Sequence, residues 1–177
     1  MKNCDTIGHM GSSLWTPVRV KARREKKLAE YCTRNNINFY LPLRRSLKRH
    51  GKRTFEFWVP MFLGYVFCQL TEDGYKKLLK SDCVLFKVDV DECIERKVIE
   101  ELNDILKIEA LSSTEEVEIS PELVCGKKVR ITGGPLSGIS GYVETRREKL
   151  VVSVNVEMLG QSVSVMLDVG DVELEDE

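Results

Sequence analysis

Apolar and polar residues along the first half of the chain follow patterns that predict alternating strands and helices. Residues 14–20 read as a short strand, and residues 22–34 follow with apolar side chains at helical spacing. Alternating apolar positions between residues 37 and 59 are interrupted by a turn-prone His-Gly pair. This pattern predicts a long hairpin with a basic tip.

The next segments complete a domain of one sheet and several helices. Residues 62–68 are apolar on both faces, as is typical of a central strand. Residues 72–80 predict a helix, residues 84–88 a short strand, and residues 95–107 a helix with one apolar face. Together these elements predict an α+β fold over residues 14–109, in which helices flank an antiparallel sheet.

The last third of the chain changes character after a polar segment. Residues 110–122 are rich in Ser, Thr and Glu without a sustained apolar period, which is typical of a flexible linker. Residues 123–177 contain short alternating strands separated by Gly-rich turns, and they predict a small five-stranded antiparallel β-barrel. The sequence therefore predicts two domains joined by a linker, and it assigns no element to residues 1–13.

Charge is divided unevenly along the chain, although the 177 residues have a net charge of only −1. Residues 1–109 hold 21 Lys and Arg against 15 Asp and Glu, whereas residues 110–177 hold 6 against 13. Residues 19–53 alone hold 13 basic and 2 acidic side chains. Such a segment attracts a polyanion in a salt-dependent way, and on charge alone a solvated basic surface explains it equally well.

Several classes of function are disfavoured by the residue types and their spacing. The six cysteines contain no C-x-x-C pair and the two histidines lie far from any cluster, so no metal site is expected. We find no P-loop, GxGxxG, HExxH or GxSxG motif, so neither an enzyme nor a cofactor is expected. No apolar run approaches the roughly 20 residues that cross a bilayer. The N-terminus lacks a secretory apolar core, so we expect a cytoplasmic protein without a membrane partner.

The C-terminal part carries the more specific of two sequence resemblances. Residues 126–143, with the sequence GKKVRITGGPLSGISGYV, look like the KOW motif that begins a small β-barrel. Residues 154–168 look like the continuation of that barrel. Gly133, Gly134, Gly138 and Gly141 suit turns with positive φ and close strand approach. The motif alone is moderately specific, since ribosomal proteins carry it too.

The N-terminal part carries the second resemblance. Trp15 in the first strand, a charged helix with Glu25, and the segment FLGYVF at residues 62–67 follow the order and spacing of a known polymerase-binding domain. The chain therefore resembles the NusG family of transcription elongation and antitermination factors over nearly its whole length. One departure is Leu63, because the family commonly has proline before the glycine.

The resemblance implies a docking surface for RNA polymerase. In the family, an apolar patch of the N-terminal domain binds the clamp helices of the largest polymerase subunit. Carried over to this chain, the patch contains Phe62 and Tyr65, with Trp15 as a nearby candidate. A few aromatic side chains often dominate an interface, but any apolar strand also contains aromatic residues of the core. The core is the favoured location for Trp15.

The resemblance also gives the basic segment a partner, since a factor on the clamp lies beside upstream duplex DNA and the non-template strand. The candidate nucleic-acid-binding residues are Arg23, Arg24, Lys27, Arg49, Lys52 and Arg53. Contacts of these residues with phosphates would position the protein without reading sequence.

The resemblance implies a protein partner for the C-terminal domain, whose acidic charge does not favour nucleic acid. In the family, an apolar turn of the barrel binds either the Rho terminator or a small-subunit ribosomal protein, and here the turn contains Leu136 and Ile139. The alternative is that both residues cap the barrel core.

The sequence thus predicts a monomeric, non-enzymatic factor that modulates pausing and termination. A specialised paralogue of the RfaH or LoaP kind is favoured over the general factor, because the cysteine-rich first half, Pro17 and Leu63 depart from the general pattern. The alternative from another class is an RNA-binding or ribosome-associated KOW protein, in which Phe55, Phe57 and Trp58 would stack on bases.

Overall fold

The computed structural model describes residues 1–2, 7–9, 11–51, 53–112, 117–121, 127–146, 149–167 and 172–174. The chain divides into two compact units. The first consists of Met1–Leu43 and Val59–Leu102, and the second of Arg44–Trp58 and Asn103–Glu177. The predicted α+β fold class is confirmed, because helices flank an antiparallel sheet in the N-terminal part and a second antiparallel sheet follows. The boundaries of the two predicted domains stay a prediction.

The elements up to residue 111 follow the predicted alternation of strands and helices. In chain order they are β1 (Leu14–Val20), α1 (Glu25–Arg34), β2 (Phe39–Tyr40), β3 (Leu43–His50), β4 (Arg53–Pro60), β5 (Tyr65–Leu70), α2 (Glu72–Leu79), β6 (Val84–Lys87) and α3 (Glu92–Leu111). Two of the helices begin at side-chain caps. Thr71 Oγ1 accepts from the N–H of Gly74 at 3.1 Å at the start of α2, and Asp91 Oδ1 accepts from the N–H of Ile94 at 2.8 Å at the start of α3.

The sheet of the first unit has the strand order β2-β5-β1-β6 and antiparallel pairing. β1 is therefore an interior strand, although it contains Pro17. The carbonyl of Pro17 accepts from the N–H of Val88 at 2.9 Å, just beyond the end of β6. The register between β1 and β6 shifts between Arg19 and Val20. Pro17 therefore lies where the pairing with β6 ends, a position at which the loss of one ladder donor is tolerated.

The two faces of this sheet are buried by different parts of the chain. On one face, Val18 and Val66 join Leu28 and Cys32 of α1 in a hydrophobic cluster. On the other face, Trp15 is buried, and its backbone N–H donates to Oε1 of Glu95 on α3 at 2.9 Å. This Glu95 carboxylate anchors α3 to the start of β1.

Residues before position 14 contribute to the fold, which the sequence did not predict. The indole Nε1 of Trp15 donates to the carbonyl of Gly8 at 3.0 Å, and Ile7 is buried. His9 Nδ1 lies 2.6 Å from Oε2 of Glu95. Because it covers Trp15, this segment belongs to the first unit.

The predicted long hairpin is shorter than expected. β2 does not continue into it but pairs with β5, with Phe39 opposite Cys68. Pro42, which has no backbone donor, stands between β2 and the hairpin. β3 and β4 form a separate two-stranded sheet, and Gly51 at its turn has φ +61°.

The second sheet is longer than the predicted barrel. Its strands are β7 (Val117–Pro121), β8 (Lys127–Ile131), β9 (Ser140–Arg146), β10 (Lys149–Val156), β11 (Gln161–Leu167) and β12 (Val172–Leu174). Within the described residues it has six strands in the order β12-β8-β9-β10-β11-β7, not the five that were predicted.

The additional strand, β7, lies within residues 110–122, the segment predicted as a linker. Val117 pairs with Val165 and Ile119 with Val163, so β7 extends the sheet beside β11. The period-two alternation of these two apolar residues was too short to stand out in a Ser- and Glu-rich context. The start of the predicted linker is also helical, since α3 continues to Leu111.

Candidate functional site

Three side chains stand side by side at one end of the first sheet. Arg19 on β1 is the direct cross-strand neighbour of Tyr65 on β5 and of Phe86 on β6, so the three side chains share one face. The Arg19 guanidinium carbon lies 4.7 Å from the centre of the Tyr65 ring, which is a cation–π arrangement. Arg19 and Tyr65 are half-buried and Phe86 is exposed. This face therefore presents a cation between two aromatic residues.

A tight turn fixes the start of β5 beside this row. Gly64 has φ +81°, and Nη1 of Arg19 donates to the carbonyl of Leu63 at 3.0 Å. The N–H of Gly64 donates to Oε1 of the buried Glu25 at 2.7 Å, which ties the turn to α1. The Leu63 side chain is 70% exposed. We call Arg19, Leu63, Tyr65 and Phe86 the strand-end patch.

The structure places Phe62 and Trp15 in the core. Both side chains are only 1% exposed. The Phe62 ring meets the Phe67 ring edge to face, with the ring centres 6.0 Å apart. This corrects the expectation that Phe62 is an accessible anchor, because its position before the Gly64 turn directs the ring inward. Of the three predicted docking residues, the structure leaves only Tyr65 partly accessible.

The predicted basic residues of α1 are exposed, and two of them lie near the acidic residue Asp82. Arg23, Arg24 and Lys27 lie at or just before the first turns of the helix. Asp82 Oδ1 lies 2.6 Å from Nζ of Lys21. This hydrogen bond and the charge of Lys21 lower the pKa of Asp82, and the charges of Lys27 and Arg24 lower it further. Lys21 thus pairs with Asp82, and Arg24 and Lys27 add positive charge near it. We call Lys21, Arg24 and Lys27 the helix-start cations.

The predicted basic residues of the hairpin belong to the second unit. Arg49 and Arg53 are exposed, and Nε of Arg49 donates to the carbonyl of Gly51 at 3.3 Å. Lys52 lies outside the described residues. The hairpin tip is thus a cationic surface of its own.

The sequence assigned the aromatic residues of the hairpin a role only in the alternative function, RNA binding. Phe55 and Phe57 on β4 are each 46% exposed, and their ring centres lie 6.5 Å apart. Trp58 is exposed as well. Because residues two apart on a strand share a face, Arg53 lies on the same face as both phenylalanines. The alternation of the sequence predicted one buried face here, and the structure shows none.

Phe86 and Arg19 of the strand-end patch were also missed. Alternation assigned Phe86 to the interior of a short strand, yet both it and the preceding Leu85 are exposed. Only pairing with β1 brings Phe86 beside Arg19, and no local pattern contains that pairing.

The predicted partner-binding turn of the second unit has its apolar residues inside. Leu136 and Ile139 are both buried, as in the alternative in which both residues cap the barrel core. The backbone closes the turn, since the N–H of Gly138 donates to the carbonyl of Ile131 at 2.8 Å. Pro135, which directly precedes Leu136, is exposed.

Two kinds of feature are absent from the part of the chain that the structure describes. Among the described residues, no group of three or more His, Cys, Asp and Glu side chains is placed to hold a metal ion. No helix in the described ranges is long and apolar enough to cross a membrane.

Comparison with known proteins assigns the family. The family model described as transcription termination factor nusG matches residues 13–124, which is more than half of the chain. The chain belongs to the NusG family. A solved structure described as "Domain interaction in Thermotoga maritima NusG" covers 93% of this chain and 98% of its own, with 20% identity and a TM-score of 0.51. At this identity the likeness shows the fold. The comparison with curated proteins found no match.

Membership of the NusG family gives the chain a role as a transcription factor. Members of this family bind RNA polymerase, and the family is not enzymatic. The matched residues include all of the strand-end patch and the helix-start cations. They also include the whole β3–β4 hairpin.

Proposed function

We propose that this NusG family member is a transcription elongation factor that binds the clamp helices of the largest RNA polymerase subunit and modulates pausing and termination. The observation that carries the proposal is the strand-end patch, in which Tyr65, Phe86 and Leu63 surround Arg19 on an accessible face. As a factor bound to bacterial polymerase it would act in the cytoplasm as a monomer. A specialised, antiterminating paralogue is favoured over the general factor.

The patch has the chemistry of a protein interface. Exposed aromatic and aliphatic side chains supply contact area, and arginine is among the residues enriched where binding energy concentrates. The cation–π contact and the bond to Leu63 hold Arg19 in one orientation before binding. Less side-chain entropy is then lost on association. Phe62 would support this surface from the core through its contact with Phe67.

The proposal assigns the cationic surfaces to DNA beside the polymerase. On the first unit the contacts would come from Arg23, Arg24 and Lys27, and on the hairpin from Arg49, Lys52 and Arg53. Exposed arginine and lysine neutralise phosphates and release counterions, so binding would weaken as salt rises. Upstream duplex DNA and the non-template strand are the proposed ligands.

The second unit would recruit a further protein, either Rho or a small-subunit ribosomal protein. Leu136 and Ile139 would act by supporting the turn from within, because their side chains are buried. The exposed Pro135 offers the partner an apolar contact at that turn.

Binding to the isolated clamp-helix segment tests the polymerase contact. We expect the double variant Tyr65→Ala/Phe86→Ala to lose about 1–3 kcal/mol of binding free energy, as when interface aromatics are truncated. Tyr65→Phe, which keeps the ring against Arg19, should bind nearly as well as the unchanged chain. Leu79→Ala is the matched control, since Leu79 is an exposed apolar residue on α2 outside the patch.

A folded double variant that binds the segment unchanged would remove the strand-end patch from the proposal. The variant Phe62→Ala distinguishes a supporting role of this residue in the core from a direct contact with polymerase. Because it empties a core position, it should destabilise the first unit by about 3–5 kcal/mol. Its binding deficit should disappear at temperatures where the variant is fully folded.

A second candidate function is favoured by one observation, the exposed aromatic residues of the hairpin. A ribosome-associated or RNA-binding KOW protein would use Phe55, Phe57 and Trp58 as a stacking platform. A pull-down separates the two functions, because polymerase should be recovered under the first and ribosomal subunits or free RNA under the second.

A further inference from the structure

Two phenylalanines stand in solvent on a hairpin that is otherwise basic. Phe55 and Phe57 are 46% exposed, whereas the aromatic residues Trp15, Phe62 and Phe67 of the first unit are buried. Between residues 43 and 58 the chain carries six Arg and Lys but one acidic residue, Glu56. An exposed pair of large apolar rings on a cationic element marks a binding surface more often than a structural one.

The rings have the geometry of a stacking platform. Their centres lie 6.5 Å apart and their planes are inclined by 35°, so neither ring covers the other. This spacing follows from the strand, because residues i and i+2 lie about 6.8 Å apart on one face. Each ring can therefore accept one planar group. Arg53, on the same face, stands next to Phe55 along the strand and can meet an anion beside the first stacked group.

Planar groups that alternate with anions at such intervals are the bases and phosphates of a single nucleic acid strand. Base stacking on aromatic side chains contributes to affinity for any base, and it requires a base that is not already stacked between neighbours. In a duplex both faces of each interior base are covered, so only phosphates remain available to the hairpin. The aromatic pair would therefore distinguish single strands from duplexes.

A protein occupant fits this surface less well. A peptide that covers two phenylalanines beside Arg49 and Arg53 would have to be both apolar and acidic. A nucleic acid strand meets both requirements along its whole length, since every nucleotide carries a ring and a charge. Along β4 this face holds Arg53, Phe55, Phe57 and Val59, of which Arg53 is the charged residue.

We infer that the β3–β4 hairpin binds single-stranded DNA by stacking unpaired bases on Phe55 and Phe57 while Arg53 contacts the adjacent phosphate. The inference rests on the proposed function, in which the hairpin lies against DNA, and it adds the strand state of that DNA and the residues that recognise it.

The test compares single-stranded and duplex DNA on the full chain by fluorescence anisotropy at fixed salt. The unchanged chain should bind an oligothymidine of about 12 nucleotides, which has little structure of its own. Phe55→Leu/Phe57→Leu keeps apolar side chains but removes both rings. We expect it to bind the oligothymidine about tenfold more weakly or worse and to bind a duplex of equal length within about twofold of the unchanged chain.

Two further variants serve as controls. Phe55→Tyr/Phe57→Tyr keeps both rings and should retain the affinity for oligothymidine, which excludes a general disturbance of the hairpin. Arg49→Glu/Arg53→Glu should weaken the binding of single-stranded and duplex DNA alike and reduce the salt dependence of both.

Four results would overturn the inference. The first is unchanged oligothymidine binding by the leucine variant. The second is tighter binding of oligouridine than of oligothymidine, which would assign the surface to RNA. The third is that the leucine variant loses binding only to the clamp-helix segment, which would assign the hairpin surface to a protein partner. The fourth is that the unchanged chain binds neither form of DNA, in which case the proposed DNA contact fails as well. Duplex binding that depends on Arg49 and Arg53, with no effect of the rings, would leave the proposed DNA contact standing.

Discussion

Nη1 of Arg19 lies so close to Gly64 that a β-carbon added to this glycine would come within 2.5 Å of it. The same nitrogen donates to the carbonyl of the preceding Leu63. Arg19 is therefore packed against the backbone of the turn that starts β5, and glycine is the residue that leaves it room. This contact holds the cation of the strand-end patch in place.

We expect Gly64→Ala to destabilise the chain by about 1–3 kcal/mol, because φ of +81° is strained for alanine and the new methyl group displaces Arg19. Arg19→Ala/Gly64→Ala relieves the overlap but not the strain. The destabilisation of the double variant should therefore be smaller than the sum of the two single destabilisations, by at least about 0.5 kcal/mol. Urea unfolding measures all three.

Gly8→Ala is the matched control, since a β-carbon at Gly8 meets no atom within 4 Å, and it should be neutral. If the two single changes in the free energy of unfolding add, the Arg19 side chain moves away from the new methyl group without cost. A fully stable Gly64→Ala variant would contradict the strained geometry of the turn.

Asp82 offers a way to change the charge beside α1 without removing a cation. Lys21 lowers the pKa of its carboxyl group, with smaller contributions from Lys27 and Arg24. Because the pKa is lowered on folding, the stabilising effect of the carboxylate is present at neutral pH and is lost as pH falls through the folded-state pKa. In Lys21→Ala the pKa should rise toward its usual range, as an NMR titration would show.

Asp82→Asn should strengthen DNA binding through the helix-start cations, because a negative charge among them is removed. We expect about a twofold gain in affinity at moderate salt and a steeper salt dependence. Asparagine also tolerates the positive φ of this position. Asp73→Asn is the control, since Asp73 pairs with Lys76 on α2. Equal gains from both substitutions would point to net charge and not to this surface.

The cysteines provide a test of the core. Cys32, Cys68 and Cys83 are buried, whereas Cys93 is exposed. The hydrogen bond with the Cys32 thiol, together with burial, raises the pKa of Cys68 well above its usual range. Since the thiolate is the reactive form, Cys93 should be alkylated roughly 100-fold faster than Cys32 and Cys68 or more.

Peptide mapping after brief iodoacetamide treatment gives the extent of modification at each site. Mild denaturant should abolish the difference, because it opens the core. Early modification of Cys68 in the folded chain would contradict the packing of α1 against β5. Cys93→Ser serves to show that the fast phase comes from that residue.

Local patterns were sufficient to predict most elements, and they failed where long-range pairing decides the outcome. The pattern of residues 14–20 predicts β1, although proline is normally confined to edge strands and bulges. Pairing with β6, which ends beside Pro17, makes the strand interior, and no local pattern contains that pairing. Likewise Phe62 and Tyr65 are close in sequence and equally aromatic. The Gly64 turn, which depends on Glu25 and Arg19, places one of them inside and the other at the surface.

The candidate site was predicted less well than the fold for the same reason. Positions of charge can be read from the sequence, and the described candidate DNA-binding residues Arg23, Arg24, Lys27, Arg49 and Arg53 are all exposed. Accessibility of apolar residues is not readable, because Phe55 and Leu136 both occur in apolar patterns, and only tertiary contacts separate them. Resemblance supplied the family and the docking strand, but not the cross-strand row that brings Phe86 beside Arg19.

β7 leads to a prediction about the C-terminal fragment. The structure pairs β11 with β7 over five residue pairs, from Gln161–Pro121 to Val165–Val117, so β7 belongs to the same sheet as the strands of the predicted barrel. Val117 is buried against the sheet. A fragment of residues 124–177 therefore lacks one strand and leaves the edge of β11 open, whereas a fragment of residues 113–177 keeps both.

We expect the longer fragment to be more stable than the shorter one by about 1.5–3 kcal/mol, the contribution of one buried valine side chain. Val117→Asp in the longer fragment should remove that advantage, because it places a charge in the sheet core, while Glu118→Gln should not. Urea unfolding gives the difference, and amide NMR spectra show whether each fragment is β-structured. Equal stabilities would mean that β7 adds nothing to the sheet. A longer fragment with helical instead of strand-like chemical shifts would show that the sheet depends on the rest of the chain.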